Sequence, residues 1–241
     1  MALCVVISFV VPAYNEELEL PATLAAIRDA ARGISDYEVV VVDDHSTDRT
    51  AELARAAGAT VVSIDRRQIA AARNAGAQVA RGDVLIFVDA DTRIASAHIE
   101  GALAALRAGF AGGGARIDVS ENIPRWASIA MRLACAVYFG LNLGAGAFLF
   151  TTAENFRTVG GFDEQYFAGE EVYFTQALKK IGRFTVLRTP VLTSGRKLRM
   201  HSARKILVDS FRIVIRGKRG VRSREKLDLW YDGERETEGS P

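Results

Sequence analysis

Cysteine and histidine are scarce in this chain, and no long apolar run passes without interruption. The two cysteines, Cys4 and Cys135, lie in separate apolar stretches, with no C-x-x-C and no histidine cluster. This excludes a disulfide scaffold and a structural zinc site, and it fits reduced, buried thiols in a cytoplasmic protein. The longest apolar stretch, residues 133–150, is interrupted by Gly140, Asn142, Gly144 and Gly146. A membrane-spanning helix needs ~20 apolar residues, so the stretch reads as two elements joined by a glycine turn. No basic leader or cleavage site stands before the first apolar run, so no secretory signal is expected. Two glycine motifs are also missing: there is no G-x-G-x-x-G after the first strand and no G-x-x-x-x-G-K-[ST] anywhere. Their absence argues against dinucleotide enzymes and P-loop nucleotidases.

What is present is an ordinary composition, 49% hydrophobic and 25% charged over 241 residues. That supports one domain with a sizeable core and room for an appendage. Charge is uneven. Residues 196–226 carry 12 Lys and Arg against Asp209 and Glu225, a net of +10. The overall charge is +2, so the rest of the chain carries −8. Such asymmetry points to an anionic partner for the C-terminal part.

Hydrophobic periodicity divides the first half into alternating elements. Residues 4–11 read as a buried strand, broken by Pro12-Ala13-Tyr14-Asn15. Residues 16–32 predict a helix with Leu18, Leu24 and Ile27 on its apolar face. A strand at 37–42 closes on Asp43-Asp44. A helix at 49–57 follows, with Asp48 or Thr47 as N-cap. Strand 60–64, an Ala-rich helix 68–80 and strand 83–88 complete a βαβαβαβ pattern, which predicts a parallel, helix-covered sheet. Beyond it the pattern predicts helix 95–108, strand 115–119 led in by Gly112-Gly113-Gly114, and a helix from Pro124 to about residue 139. Strand 147–152, a turn at 159–163, helix 170–181, short strands 184–187 and 191–193 around Pro190, and a last helix 202–216 follow. His45 and His98 read as surface residues.

One stretch organises the rest: Leu85-Ile86-Phe87-Val88-Asp89-Ala90-Asp91, an apolar run ending in two carboxylates one residue apart. In an extended segment, residues i and i+2 point the same way. Asp89 and Asp91 would then face one ligand beyond the strand's carboxyl end, where open α/β sheets bind ligands. Two hard oxygen donors suit a divalent cation that also holds phosphate oxygens. The plainer alternative is a capped strand end with solvated acids. Two other strand ends, residues 12–16 and Asp43-Asp44, would share the same crevice, because parallel strands all point one way.

At this point the residues resemble a known family. Val10-Val11-Pro12-Ala13-Tyr14-Asn15-Glu16-Glu17, Val42-Asp43-Asp44-His45-Ser46-Thr47-Asp48, Ala72-Arg73-Asn74-Ala75-Gly76 and Phe87-Val88-Asp89-Ala90-Asp91 are similar to the successive motifs of family 2 glycosyltransferases. Val159-Gly160-Gly161-Phe162-Asp163-Glu164 and Gly169-Glu170-Glu171 continue the series. The resemblance covers roughly residues 5–200, in order. It implies the GT-A fold: a Rossmann-like, mostly parallel sheet with helices on both faces. It also implies a UDP- or GDP-linked sugar donor, inverting transfer, and Mg²⁺ or Mn²⁺. The resulting division is a GT-A domain over 1–200, and a basic amphipathic helix with a polar tail over 201–241.

By position in these motifs, Pro12, Tyr14 and Glu16 would line the nucleoside pocket, and Asp44 would accept from the base N–H. Arg73 would reach the ribose or diphosphate. Asp89 would face the ribose or a metal-bound water, and Asp91 would ligate the metal. Arg196 and Lys197 would close over the diphosphate, and His201 could complete the metal shell. The family's base motif is usually Glu-Asp, whereas this chain has Glu170-Glu171. Either the site is shaped for Glu171, with Glu170 as the next candidate, or the acceptor is acidic enough to need little base. Each residue also has a plain structural reading. Asp44 could cap a helix, Arg73 could be a solvated helix arginine, and Glu170-Glu171 could stabilise a helix dipole.

Lys205, Asp209, Arg212 and Arg216 form a narrow stripe on the last predicted helix, and Ile206, Leu207, Phe211, Val214 and Ile215 occupy much of the rest. That broad face needs a cover: the domain, a second copy in a homo-oligomer, or an anionic membrane surface. The expectation is a cytoplasmic enzyme, peripheral at the inner face of the membrane, acting on a hydroxyl or lipid-phosphate acceptor. A nucleotidyltransferase on a similar fold would want a Gly-rich basic loop after the first strand, and this loop is acidic. A non-catalytic binding module for nucleotide sugar or anionic lipid is the other alternative. Nucleic acid is not expected, since the basic segment has no interleaved aromatics apart from Phe211.

Overall fold

The computed structural model describes residues 5–119, 144, 146–167 and 169–194. The predicted helices at 124–139 and 202–216, together with Arg196, Lys197 and His201, lie outside the described residues. The first half follows the alternation: β1 (Ile7–Ala13), α1 (Leu20–Ala30), β2 (Tyr37–Asp44), α2 (Thr50–Ala56), β3 (Thr60–Ile64), α3 (Ile69–Val79) and β4 (Val84–Val88). Then come β5 (Thr92–Arg93), α4 (Ser96–Arg107), β6 (Phe110–Val119), β7 (Phe148–Thr152), α5 (Ala153–Val159), α6 (Glu170–Ile181) and β8 (Arg183–Thr193).

These strands form one sheet in the order β3-β2-β1-β4-β7-β6-β8-β5. The first four are parallel, while β7 runs antiparallel to both β4 and β6, and β5 antiparallel to β8. Alternation along each central strand builds two apolar layers. Phe9, Val11, Ile86 and Val88 face α1 and α4, packing with Leu24, Ile27 and Ile99. Val10, Leu85 and Phe87 face α3, α5 and α6, packing with Ala70, Phe156, Phe162 and Phe174. Both faces are therefore covered by helices, which is why β1 and β4 read as unbroken apolar runs. Gly76 lets α3 close onto β1 and β2, because a Cβ there would run into Val10 and Val42.

The sheet departs from the sequence expectation in its second half. The triple glycine lies inside β6 rather than ahead of it. At Gly113 a Cβ would meet the Phe150 ring and the Thr185 carbonyl, so the strand passes there only without a side chain. The two short strands expected around Pro190 are one strand, β8, whose register against β6 shifts between Ala115 and Arg116. The shift leaves Arg188 and Thr189 without partners in the ladder. Residues 153–159, not expected to be helical, form α5, with the Thr152 hydroxyl accepting from Asn155 N–H and Gly160 ending it at φ +81°. Helix α1 starts at Leu20, four residues later than expected, and Leu18 is exposed. His98 is buried, not at the surface: it accepts the Ala95 N–H on Nδ1, and Nε2 lies 3.1 Å from the Pro190 carbonyl.

Candidate active site

Strand order places a reversal between β1 and β4. The chain winds from β1 outward through β2 and β3, then returns to place β4 on the other side of β1. The connections after β1 and β4 therefore diverge, and a crevice opens at the strands' carboxyl ends. The ladder between them stops at Val10 and Phe87, two residues before Pro12, whose ring nitrogen carries no donor. Pro12 is buried in β1 against Val42, while Tyr14 and Asn15 stand at the lip.

On the β1 and β2 side, most motif side chains lace one loop to another. Asn15 donates its N–H to Ser46 Oγ, and its Oδ1 accepts from Thr47 N–H at 2.8 Å. Buried Glu16 donates its N–H to Thr50 Oγ1, and Glu17 donates its own to Asp48. Asp48 also accepts the N–H of Thr50 in a local turn; the N-cap of α2 is Arg49, with no side-chain cap, rather than the expected Asp48 or Thr47. Asp44 is buried and accepts three backbone N–H groups, from Arg66 (2.7 Å), Arg67 (2.8 Å) and Gln68 (2.7 Å). Its carboxylate holds the turn into α3.

Beyond β4, Asp89 and Asp91 do not lie on extended backbone. Residues 89–92 form a turn closed by Thr92 N–H donating to the Asp89 carbonyl. Turn geometry, not strand alternation, therefore sets the directions of the two carboxylates. Three neighbours hold this turn. Thr23 of α1 donates to the Ala90 carbonyl, and Arg93 bridges Thr23 and Glu19. From the end of β8, Ser194 N–H donates to the Asp91 carbonyl and Thr193 Oγ1 lies 3.3 Å from Asp91 Oδ1. From α3, Arg73 donates to Asp89.

Arg73 differs from both sequence readings, since it neither faces solvent nor stands open to a ligand. Its side chain is 1% exposed, and it donates to Asp89 Oδ1 (2.9 Å), the Gly146 carbonyl (3.0 Å) and Glu170 Oε1 (2.6 Å). Burial opposes its charge, but Asp89 and Glu170 outweigh burial and hold the guanidinium above its ordinary value. Arg73 therefore ties the aspartate turn to the first residue of α6. Asn74 adds a second tie, exchanging two hydrogen bonds with the Phe162 backbone, and Gln68 a third, donating to the Glu164 carbonyl.

The two acids of α6 occupy different places. Glu170 is buried and committed to Arg73, and burial pushes its carboxyl up despite that cation. Glu171 is half-buried. Burial pushes it up to about 8, the adjacent Glu170 charge adding to the effect and Arg73 opposing it. Glu170 is thus committed to Arg73, and Glu171 is the acid of the pair that keeps accessible surface.

Among the described residues, no group of three or more His, Cys, Asp and Glu forms a metal cage. The donor set still suits Mg²⁺ or Mn²⁺, which take one or two carboxylates and fill the remaining positions with water and phosphate oxygens. Asp91 is half-buried, and the hydroxyls of Thr92 and Thr193 lie 3.4 and 3.3 Å from its Oδ1. Asp89 shares its charge with Arg73 and is 29% exposed.

The sequence reading passed over Arg67. It follows β3 at the same edge as the other strand-end residues, a position that could have drawn notice, and its guanidinium lies over the Tyr14 ring at 3.4 Å.

A family model, glycosyl transferase family 2, matches residues 8–160. The chain belongs to glycosyl transferase family 2. An undecaprenyl-phosphate 4-deoxy-4-formamido-L-arabinose transferase of Pseudomonas paraeruginosa is 43% identical over 93 residues, 35% of this chain and 27% of the relative. A 4,4'-diaponeurosporenoate glycosyltransferase of Staphylococcus haemolyticus is 36% identical over 99 residues, 38% of this chain and 26% of the relative. The matched segments thus span about a quarter of the length of these curated relatives. Among solved structures, the mannosyltransferase PcManGT of Pyrobaculum calidifontis, in complex with GDP-Man and Mn²⁺, superposes with a TM-score of 0.66 at 19% identity. That match covers 94% of this chain and 68% of the other. Glucosyl-3-phosphoglycerate synthase of Mycobacterium tuberculosis superposes with a TM-score of 0.62 at 20% identity, over 91% and 82% of the two chains. At such identities the superpositions show the GT-A fold alone. Four of the motif stretches, 10–17, 42–48, 72–76 and 87–91, fall inside the family match; 159–164 straddles its end, and Gly169-Glu170-Glu171 lies beyond it.

Proposed function

We propose that this family 2 member transfers a sugar, with inversion, from a nucleotide-diphosphate sugar to an acceptor oxygen. One observation carries the reading. The chain Asp89–Arg73–Glu170, at 2.9 and 2.6 Å, joins the acidic turn beside the switch-point crevice to the helix that bears Glu171. Donor diphosphate at the turn and acceptor at α6 would then sit on opposite sides of one braced site.

In the proposed step, the acceptor oxygen attacks the sugar's anomeric carbon. The bond from that carbon to the diphosphate breaks, and the electron pair leaves with the diphosphate. Glu171 takes the acceptor proton when the acceptor is a hydroxyl. Asp91, with Asp89 behind it, would hold a divalent cation. A bound cation would supply charge neutralisation at the leaving diphosphate. Arg73 keeps Asp89 and the start of α6 in register. Tyr14 and Glu16 flank the nucleoside, and the basic residues 196–226 would dock on an anionic membrane surface.

A lipid-phosphate acceptor is the second form of this reading. Glu171, raised to about 8, holds its proton over most of the neutral range. A phosphate is already ionised there and attacks without a base. The name of the Pseudomonas relative, an undecaprenyl-phosphate transferase, agrees with such an acceptor.

The test is release of nucleoside diphosphate from a panel of UDP- and GDP-sugars in Mn²⁺, with polyprenyl phosphate and with hydroxyl acceptors in parallel. Acceptor-dependent release from one donor supports transfer. Tight donor binding with no release under either acceptor class assigns the chain to a binding module.

A further inference from the structure

Three loops meet above the carboxyl ends of β1, β2 and β3, and each contains a non-glycine residue with left-handed backbone: Asn15 at φ +50°, His45 at +65° and Arg67 at +49°. Such a conformation is costly for an arginine and persists where the surroundings enforce it. At Arg67 the enforcement comes from Asp44. Its carboxylate accepts the N–H groups of Arg66, Arg67 and Gln68, drawing the loop after β3 inward across the end of β2.

The consequence is a stack. Arg67 Cζ lies 3.4 Å from the centroid of the Tyr14 ring. That is van der Waals contact, and only a guanidinium nearly parallel to the ring can reach it without its nitrogens striking the ring. Among the described residues the Arg67 guanidinium makes no hydrogen bond. A planar fork of N–H donors is thus fixed one stacking distance above an aromatic ring, at the lip of the crevice, with its edge open.

Asp44 offers the opposite chemistry but has little left to offer. Three of its roughly four lone-pair sites already face backbone N–H groups. The open recognition group at this lip is therefore a donor pair, which calls for two adjacent acceptors on the ligand. Guanine presents O6 and N7 side by side. Adenine places an amino group beside N7, and uracil flanks O4 with N3–H, so each turns a donor toward one arm of the fork.

We propose that Arg67, stacked on Tyr14, selects the donor's nucleobase and favours guanine over uracil and adenine. This rests on the donor-binding reading above. Arg67 acts on the base through its planar edge, so lysine, with the same charge and no fork, does not replace it.

Calorimetry on the full chain in Mn²⁺, with GDP, UDP and ADP, tests the assignment in the wild type, Arg67→Lys and Arg67→Gly. Glycine accepts the left-handed backbone, so Arg67→Gly keeps the loop and its melting temperature equals or exceeds the wild type's. The expected result is a wild-type preference for GDP on the order of 10-fold or more, since a bidentate arginine contact discriminates by about that much. Both variants should lose that preference, through weaker GDP binding and near-constant UDP and ADP binding. An unchanged base ranking in the variants overturns the proposal. So does equal weakening for all three nucleotides, which would place the guanidinium on the diphosphate, and so does tighter binding, which would make Arg67 an obstruction. If the wild type binds none of the three, the donor reading itself fails; if it binds them but its variants keep the ranking, only the role of Arg67 fails.

Discussion

The loops after β1 and β2 and the turn after β4 are both polar, acidic and set at the same edge of the sheet, yet they use their side chains differently. In the first region Asn15, Glu17, Asp44, Asp48 and Thr50 are joined to backbone or hydroxyl groups of the neighbouring loop. In the second, the backbone of the 89–92 turn takes most of the bracing, from Thr23 and Ser194. Asp91 and, across Arg73, Glu171 keep surface of their own. A carboxylate in a motif is thus no guide to its role; what matters is whether backbone donors reach it first.

The strongest way to break this contrast is to cut the bridge between the turn and α6. Arg73→Met leaves Asp89 and buried Glu170 without their cation. It should cost about 3–5 kcal/mol of stability, as loss of one partner of a buried ion pair does, and abolish transfer. Denaturant unfolding reads the first effect, and a full-strength wild-type midpoint in the variant would show the bridge to be idle.

Asp91→Asn should separate function from fold. Transfer falls on the order of 10³-fold, about 4 kcal/mol of transition-state stabilisation, while the melting temperature stays within about 2 °C, since the substitution keeps the size of a half-buried side chain. Undiminished Mn²⁺-dependent nucleotide affinity would remove Asp91 from the metal site.

Asp44→Ala sharpens the other side of the comparison. Three backbone N–H groups lose their acceptor, and the expected cost is about 2–4 kcal/mol. Asp44→Asn, which keeps one oxygen, should lose less. If both variants unfold like the wild type, the turn at 65–68 holds itself.

Glu171→Gln carries the smallest and most pH-dependent effect. With a hydroxyl acceptor kcat should fall about 10²-fold, with donor Kd little changed. The wild-type rate should climb with pH up to about 8, because the base acts only when ionised, and the variant's profile should be flat. Stability runs the other way. The folded carboxyl is raised above its unfolded value near 4.5, so the folded state binds the proton more tightly. Ionisation of the unfolded chain therefore erodes stability as pH rises from about 4.5 to about 8. The variant, which cannot ionise, should melt ~2–4 °C higher than the wild type at pH 8 and equally at pH 4. With a phosphate acceptor its kcat should stay near wild type.

Local patterns determined a good deal by themselves. The apolar runs of β1 and β4, the start of α6 at Glu170 and the alternation of strand and helix up to β4 are legible because each depends on near neighbours in the chain. So is the order of the family motifs, and with it the crevice, since parallel strands share one carboxyl edge. Long-range contact decided the rest. Gly113 sits inside β6 because of a ring contributed by residue 150, β8 continues through Pro190 because β6 supplies the ladder beside it, and Leu18 is exposed because α1 begins after it. Arg73 is buried because α3 brings it between carboxylates 16 and 97 residues away, and Asp44 is occupied because a loop two dozen residues on folds back over it. No window of sequence shows which donors will reach a carboxylate, since that depends on how the elements pack, and packing is settled only when the sheet closes.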